Sequence, residues 1–309
     1  MNDNVTISTY QLLKLFPDEA TARVYLEKRR WNGHVVCPHC GCDGRITVRR
    51  GKREGYFWCR DCGKEFTVRT GTIFERSHIP LDKWLLAMYM VVTARKGISS
   101  MQLSKELSIT QRSAWFLLGR LRESLGSDPG GKLKGVVEID EAFIGGKETN
   151  KHARKKLNAG RGTVGKQAVL GLRERGGKSV AFPIEGTSRK VIHEAIRENV
   201  EPGTQIHTDE HSGYEDLPDY IRAHVKHGRG EYVGAGNIHV NSVESMWAVL
   251  KRGIYGTWHK VSVKHLRRYV SEATFRLNEG NVKIHTLTRL EAFIALAFRC
   301  RITYRKFIQ

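Results

Sequence analysis

Two knuckles, Cys37-Pro38-His39-Cys40-Gly41 and Cys59-Arg60-Asp61-Cys62-Gly63, restrict what the front of this chain can fold into more than any other feature. Eighteen residues separate Cys40 from Cys59, a spacing expected of a four-cysteine metal site. Each C-x-x-C turn aims two thiolates inward. Four thiolates suit tetrahedral Zn²⁺ and leave no open position, so one structural ion is expected on Cys37, Cys40, Cys59 and Cys62. Strand-like runs at residues 45–49 and 56–58 lie between the knuckles and complete a zinc ribbon over residues 31–70. Cys42 could replace Cys40, but the C-x-x-C spacing favours Cys40; Cys300 stands alone and reads as a small buried hydrophobe.

Residues 1–30 read as one or two short helices around Pro17, ending in Lys28-Arg29-Arg30-Trp31. Beyond the ribbon, residues 81–94 are apolar and begin near Pro80, which predicts a helix. Residues 97–107 form a short amphipathic helix with a Ser cap, and a break at Ser108-Ile109-Thr110 leads to a second helix over 111–125. Trp115, Leu118 and Leu121 make its inner stripe, leaving Gln111, Arg112 and Ser113 exposed at its start. Two short helices around a tight turn, within residues 78–126, are helix-turn-helix-like, and the second such helix can enter a DNA major groove. An ordinary helical hairpin supporting the next domain is the competing reading. Turn-rich residues 127–132 mark the clearest domain boundary.

Charge narrows the partners. The 309 residues carry 52 Lys and Arg against 32 Asp and Glu, a formal net charge of +20. Such a field favours a polyanion, nucleic acid first. Met1-Asn2-Asp3-Asn4 has neither the basic nor the apolar region of a secretory signal. The longest apolar stretch, residues 84–94, is too short to span a bilayer. A cytoplasmic protein without membrane contact is expected.

From Lys134 the pattern changes to strands and then helices, over residues 133–285. Residues 135–140, 166–172 and 179–184 read as strands, with Gly176-Gly177 turning the chain between the second and third. Residues 187–200 read as a helix capped by Thr187, 204–209 as a fourth strand, 224–226 as a fifth, and about 242–252 as a further helix. This is the order of a ribonuclease-H-like α/β core with a mixed sheet, whose first and fourth strands lie side by side. Asp140 and Asp209 then close neighbouring strands, and Glu244 faces them from the following helix. Three such acids in a very basic protein can hold two divalent cations against a phosphate. Each also has a plainer reading. Asp140 could form a strand-end turn, Asp209 could cap the loop at His211-Ser212-Gly213, and Glu244 could complete a near capping box begun by Asn241. Glu138, Glu141 and Glu210 are alternative acids; Glu138 shares the strand face of Asp140, whereas Glu141 and Glu210 point away.

Lys251 lies two helical turns after Glu244, on the same face and about 10 Å along the axis. It can hold a phosphate, with Arg252 beside it, and Asn241 can contact metal or DNA as well as cap the helix. Lys147, Lys151, Arg154, Lys155, Lys156, Arg161 and Lys166 make a basic segment that reads as a DNA-contacting loop.

Ile139-Asp140-Glu141-Ala142-Phe143-Ile144-Gly145-Gly146-Lys147, Thr208-Asp209-Glu210-His211-Ser212-Gly213-Tyr214 and His239-Val240-Asn241-Ser242-Val243-Glu244 resemble, in order, the three acidic blocks of the zinc-ribbon DDE transposases of bacterial insertion sequences. The likeness continues through Lys251 and Gly256-Thr257-Trp258-His259 to Phe275-Arg276-Leu277-Asn278, and extends from the ribbon to Arg301-Ile302-Thr303-Tyr304. It implies that Asp140, Asp209 and Glu244 carry Mg²⁺-dependent cleavage of element ends and strand transfer, with two Mg²⁺ (Mn²⁺ as substitute) and no covalent nucleophile. Asn241 and Lys251 keep supporting roles, because some members of that family show Asn where others show the third acid. Double-stranded DNA, a homo-oligomer that synapses two ends, and a nucleoid location are implied as well. Residues 286–309 are expected to form a C-terminal helix and tail.

Overall fold

A computed structural model describes residues 6–126, 130–146, 150–157, 162–225, 238–280 and 283–308. The chain packs as two compact units, Met1–Asp128 with Glu279–Gln309, and Pro129–Asn278.

The first unit begins with α1 (Thr9–Leu15) and α2 (Glu19–Trp31). Ser8 and Gln11 form a capping box on α1, and Asp18 accepts from the Thr21 N–H at 2.7 Å on α2, so both starts satisfy otherwise orphaned amides. The ribbon follows as an antiparallel sheet of β1 (Ile46–Val48), β2 (Phe57–Cys59) and β3 (Lys64–Phe66), in that order. Nothing in the sequence pattern announced β3: it is three residues long and two of them, Lys64 and Glu65, are charged. Phe57 stacks on Phe66 with centroids 5.4 Å apart, and Trp31 meets Phe57 edge-on at 5.0 Å, so α2 and the ribbon share an aromatic core. Next come α3 (Leu81–Thr93), α4 (Ser100–Leu107) and α5 (Gln111–Leu125). Ser99 caps α4, Thr110 caps α5, and Ser108 takes the left-handed conformation in the turn between them. Leu118 and Leu121 are buried as expected, but Trp115 is half-buried and packs edge-on against Phe307.

The second unit is built on a five-stranded mixed sheet. Its strands are β4 (Val136–Ile144), β5 (Gln167–Glu174), β6 (Ser179–Ile184), β7 (Gln205–Thr208) and β8 (Ile221–His224), in the order β6-β5-β4-β7-β8. β4, β5 and β6 pair antiparallel, while β7 and β8 run parallel to β4. The first and fourth strands are therefore neighbours. Gly176, at φ +71°, makes the turn between β5 and β6, a conformation glycine adopts without steric cost. α6 (Arg189–Asn199) joins β6 to β7, and α7 (Asn241–Gly253), a π-helical turn (Ile254–Trp258) and α8 (Val263–Asn278) complete the unit. Alternation along β4 splits the core. Val137 and Ile139 pack with Ile192 and Ile196 of α6, whereas Ala142 and Ile144 pack with Met246, Trp247 and Leu250 of α7 and with Leu266 and Val270 of α8.

Several boundaries differ from expectation. β4 runs on through Ala142-Phe143-Ile144, so Asp140 sits inside the strand and does not close it. α6 starts after Ser188, without a cap from Thr187. The last strand is Ile221–His224, upstream of the expected 224–226, and Lys226 lies outside the described residues. α8, with no strong stop or start signal around it, went unanticipated.

The chain then rejoins the first unit through α9 (Thr286–Arg299) and α10 (Tyr304–Ile308). α9 packs on α2, α3 and α5, and Phe298 meets Phe74 edge-on at 6.0 Å. Cys300 is half-buried, and burial pushes its thiol up to about 11. No helix among the described residues is long and apolar enough to cross a membrane.

Candidate functional site

The ribbon brings its four cysteines together. The Sγ atoms of Cys37, Cys40, Cys59 and Cys62 all lie within 4.8 Å of one another. Cys37 and Cys62 are 3.7 Å apart and Cys40 and Cys59 3.6 Å. A tetrahedral Zn²⁺ with bonds of about 2.3 Å needs sulfur separations of about 3.8 Å. The cluster fits that ion, and Cys42 stays outside it.

In the second unit, Glu138 pairs with His207 across the parallel β4–β7 ladder. Asp140 follows Glu138 by two residues on the same face of β4, and Asp209 lies one residue past the end of β7 on the neighbouring strand. Their proximity is felt. Burial, together with the charges of Glu141 and Asp209, pushes the Asp140 carboxyl up to about 7, against the pull of an N–H from Trp247. That N–H is the indole Nε1 of a residue on α7, 2.8 Å from Asp140 Oδ2. Asp209 is half-buried; its Oδ1 accepts the His211 N–H at 2.9 Å and its carbonyl accepts Arg222 Nη2 at 3.0 Å. It therefore does cap the following loop, as its plainer reading supposed.

Glu244 is exposed in the first turn of α7. Glu244, Trp247 and Lys251 fall three and four residues apart, so they share one edge of the helix. Trp247 reaches inward to Asp140, while Glu244 and Lys251 flank it at the exposed rim. The three acids do not close into a cluster: among the described residues only the cysteines gather three or more ligand atoms within 4.8 Å of one another. Glu141 points to the other side of the sheet and accepts a hydrogen bond from the buried Tyr214 hydroxyl. Glu210 is exposed.

The capping box on α7 is not formed. Asn241 is the first helical residue, Val240 precedes it, and no side chain of that segment caps the helix. Glu138 does so from the sheet. Fully buried, it accepts the Ser242 N–H at 2.8 Å, the Val243 N–H at 3.2 Å and the Ser242 hydroxyl at 3.1 Å. Arg175 Nε donates to the same carboxylate at 2.8 Å. Two backbone amides and a guanidinium thus compensate its charge, which makes Glu138 a structural anchor.

Residues 132–278 match the ISXO2-like transposase domain, and residues 17–65 match a transposase zinc-ribbon domain. A protein of the transposable element ISH50 of Halobacterium salinarum is 31% identical over 252 residues, which cover 78% of this chain and 84% of the relative. The chain belongs to the zinc-ribbon DDE transposase family.

In this transposase the expected DNA-facing residues are spread over both units. Gln111 and Arg112 are exposed at the start of α5, but both have intramolecular partners: Gln111 Nε2 donates to Ser100 Oγ at 2.9 Å, and Arg112 Nη2 to the Tyr304 hydroxyl at 3.2 Å. Ser113 Oγ accepts from Thr110 Oγ1 at 2.9 Å. Arg154, Lys155 and Lys156 are exposed at a single 3₁₀ turn (Ala153–Lys155) and just after it, with Lys151 half-buried before them. Lys251 and Arg252 are exposed on α7. Lys147 and Arg161 lie outside the described residues. Trp247 carries no sequence signal of its own, because an aromatic in an apolar helical stripe looks like core. Glu138 reads in the sequence only as an alternative acid, because alternation gives a residue's face but not its partners.

Proposed function

We propose that the Pro129–Asn278 unit is a ribonuclease-H-like catalytic core that cuts element ends and joins them to target DNA, using Asp140, Asp209 and Glu244 as ligands for two Mg²⁺, with Mn²⁺ as a substitute. The observation that carries this reading is the parallel pairing of β4 with β7, which sets Asp140 beside Asp209 where like charge and burial work against ionisation. Carboxylate oxygens are the donors Mg²⁺ prefers, and a dication relieves the repulsion of the bare pair. When bound, such ions supply activation of the attacking oxygen and neutralisation of the leaving one. The strand order and directions support the ribonuclease-H reading.

Glu244 completes the donor set from the rim of α7. Lys251, on the same edge, holds a DNA phosphate by its charge, and Asn241 contacts the backbone at the helix start. Lys147, Lys151, Arg154, Lys155, Lys156 and Arg252 are further phosphate contacts in this reading, and Gln111, Arg112 and Ser113 read the element end from α5. The zinc ribbon is structural. Two ends cut in concert require a homo-oligomer, acting on DNA in the nucleoid.

Incubating the full chain with a labelled terminal inverted repeat and Mg²⁺ tests the proposal. Cleaved ends and joined products are expected. Binding without cleavage would reduce the protein to a DNA-binding factor, and cleavage without joining to a nuclease. Asp140→Asn, Asp209→Asn and Glu244→Gln should each abolish both products and leave end binding intact, whereas Glu141→Gln should keep most activity.

A further inference from the structure

We propose that Trp247 is a positioning residue that orients the Asp140 carboxylate for metal binding, and that Gly171 is glycine because the Trp247 ring occupies the space a side chain would need. The inference rests on the reading of Asp140 as a ligand. Trp247 is 5% exposed, and its indole N–H lies 2.8 Å from Asp140 Oδ2. A buried indole N–H must find an acceptor, and here it takes a carboxylate oxygen at the centre of the site. Gly171 is the β5 residue paired with Asp140 in the ladder. A Cβ on it would come within 2.6 Å and 2.7 Å of the Trp247 Cζ2 and Cη2 atoms, and within 2.3 Å of Met246 Cε. The ring therefore lies against bare backbone directly beside the aspartate, in a place no other residue type leaves open.

The helix that carries the ring is fixed against sliding. Glu138 holds the Ser242 and Val243 amides, and Arg173 Nη1 donates to the Ser242 carbonyl at 3.0 Å and to Ser245 Oγ at 3.1 Å. With the helix start tied to β4 and β5, the indole arrives at Asp140 from one direction only. Holding one carboxylate oxygen sets the rotation of the whole group, and so the direction of the other oxygen. This is the support that ligand carboxylates receive from a neighbouring hydrogen-bond donor.

Trp247→Phe keeps an aromatic ring and removes the donor; Gly171→Ala keeps the donor and crowds the ring together with Met246 Cε. Both are tested in the full chain for Mn²⁺ affinity by calorimetry, end-DNA affinity, single-turnover cleavage and thermal melting. Mn²⁺ affinity and cleavage rate should fall roughly tenfold in each, the loss of one hydrogen bond to a charged group, with end-DNA affinity unchanged. Trp247→Phe with Mn²⁺ affinity within twofold of the parent overturns the inference. An independent measurement needs no folded Trp247 variant: among the six tryptophans, labelled with ¹⁵N, Mg²⁺ should shift one indole N–H signal, and Asp140→Asn should abolish the shift. No shifted indole also overturns it. If Asp140→Asn binds Mn²⁺ normally and cleaves, the reading of Asp140 fails and this inference with it. If Asp140→Asn is inert and Trp247→Phe is normal, the inference alone fails.

Discussion

Asp140→Asn should make the metal-free protein more stable at pH 8 while destroying its response to Mg²⁺. Burial and the neighbouring charges of Glu141 and Asp209 raise the Asp140 carboxyl from 3.8 to about 7 in the folded chain. The folded state therefore holds a proton that the unfolded state has released, across a window from about pH 4 to about pH 7. Stability from this group is fully present below the unfolded value and is lost as pH rises through the folded one. Roughly three pH units at 1.36 kcal/mol each set a ceiling of about 4 kcal/mol. Asparagine removes the charge and still accepts the Trp247 N–H, but its own N–H₂ has to be housed between carboxylates. A net gain of about 2 kcal/mol at pH 8, vanishing near pH 4, is the expectation. Urea unfolding followed by circular dichroism from pH 4 to 9 measures it, without strong chelators, which would strip the ribbon. Titrating groups whose charge does not act on Asp140, such as His207, cancel in the difference between parent and variant. Added Mg²⁺ should stabilise the parent at pH 8 and leave the variant unmoved. A variant less stable than its parent at pH 8, or a difference that does not change with pH, would refute the argument.

Three further outcomes follow from other parts of the molecule. Metal analysis of the purified chain should give about one Zn²⁺, and Cys62→Ser should lose it and unfold the ribbon, since four thiolates close around one ion. End-DNA affinity should fall steeply with salt, with a log–log slope near −0.9 for each phosphate neutralised; a flat titration would mean that the +20 charge is not used on DNA. Glu138→Ala should cost about 3–5 kcal/mol in the same urea assay, because it removes the carboxylate paired with Arg175 from a buried site and uncaps α7; a loss below 1 kcal/mol would deny it the role of anchor.

What could be read in the sequence depended on how local the signal was. The cysteine knuckles carry their own geometry, and side-chain caps at Ser99 and Thr110 announce the starts of α4 and α5. Alternation placed Glu138 with Asp140 and set Glu141 opposite, as the Tyr214 contact shows. Failures came where distant residues decide the outcome. Asn241-Ser242-Val243-Glu244 has the letters of a cap, yet α7 is capped by a carboxylate about a hundred positions earlier in the chain. β4 runs past Asp140 because Ala142 and Ile144 find α7 and α8 to pack against, which no local pattern reports. Arg112 reads as a free recognition side chain until α10 brings Tyr304 to it.

The two acids on the α7-facing side of β4 differ in how far the protein itself answers their charge. Glu138 is wholly enclosed, with a guanidinium and two helix amides directed at it, so its balance is complete within the fold. Two residues along the same strand, Asp140 is held by burial and two anionic neighbours against ionisation, and only neutral donors, the Trp247 indole and the Glu141 backbone N–H, answer its charge. Ionising a carboxylate so placed costs stability, which a positive charge from outside the chain would offset. Strand face alone made these two acids interchangeable. The difference in how each charge is answered separates the residue that holds the helix from the one proposed as a metal ligand, and it predicts opposite signs for their removal: loss of stability at Glu138, gain at Asp140.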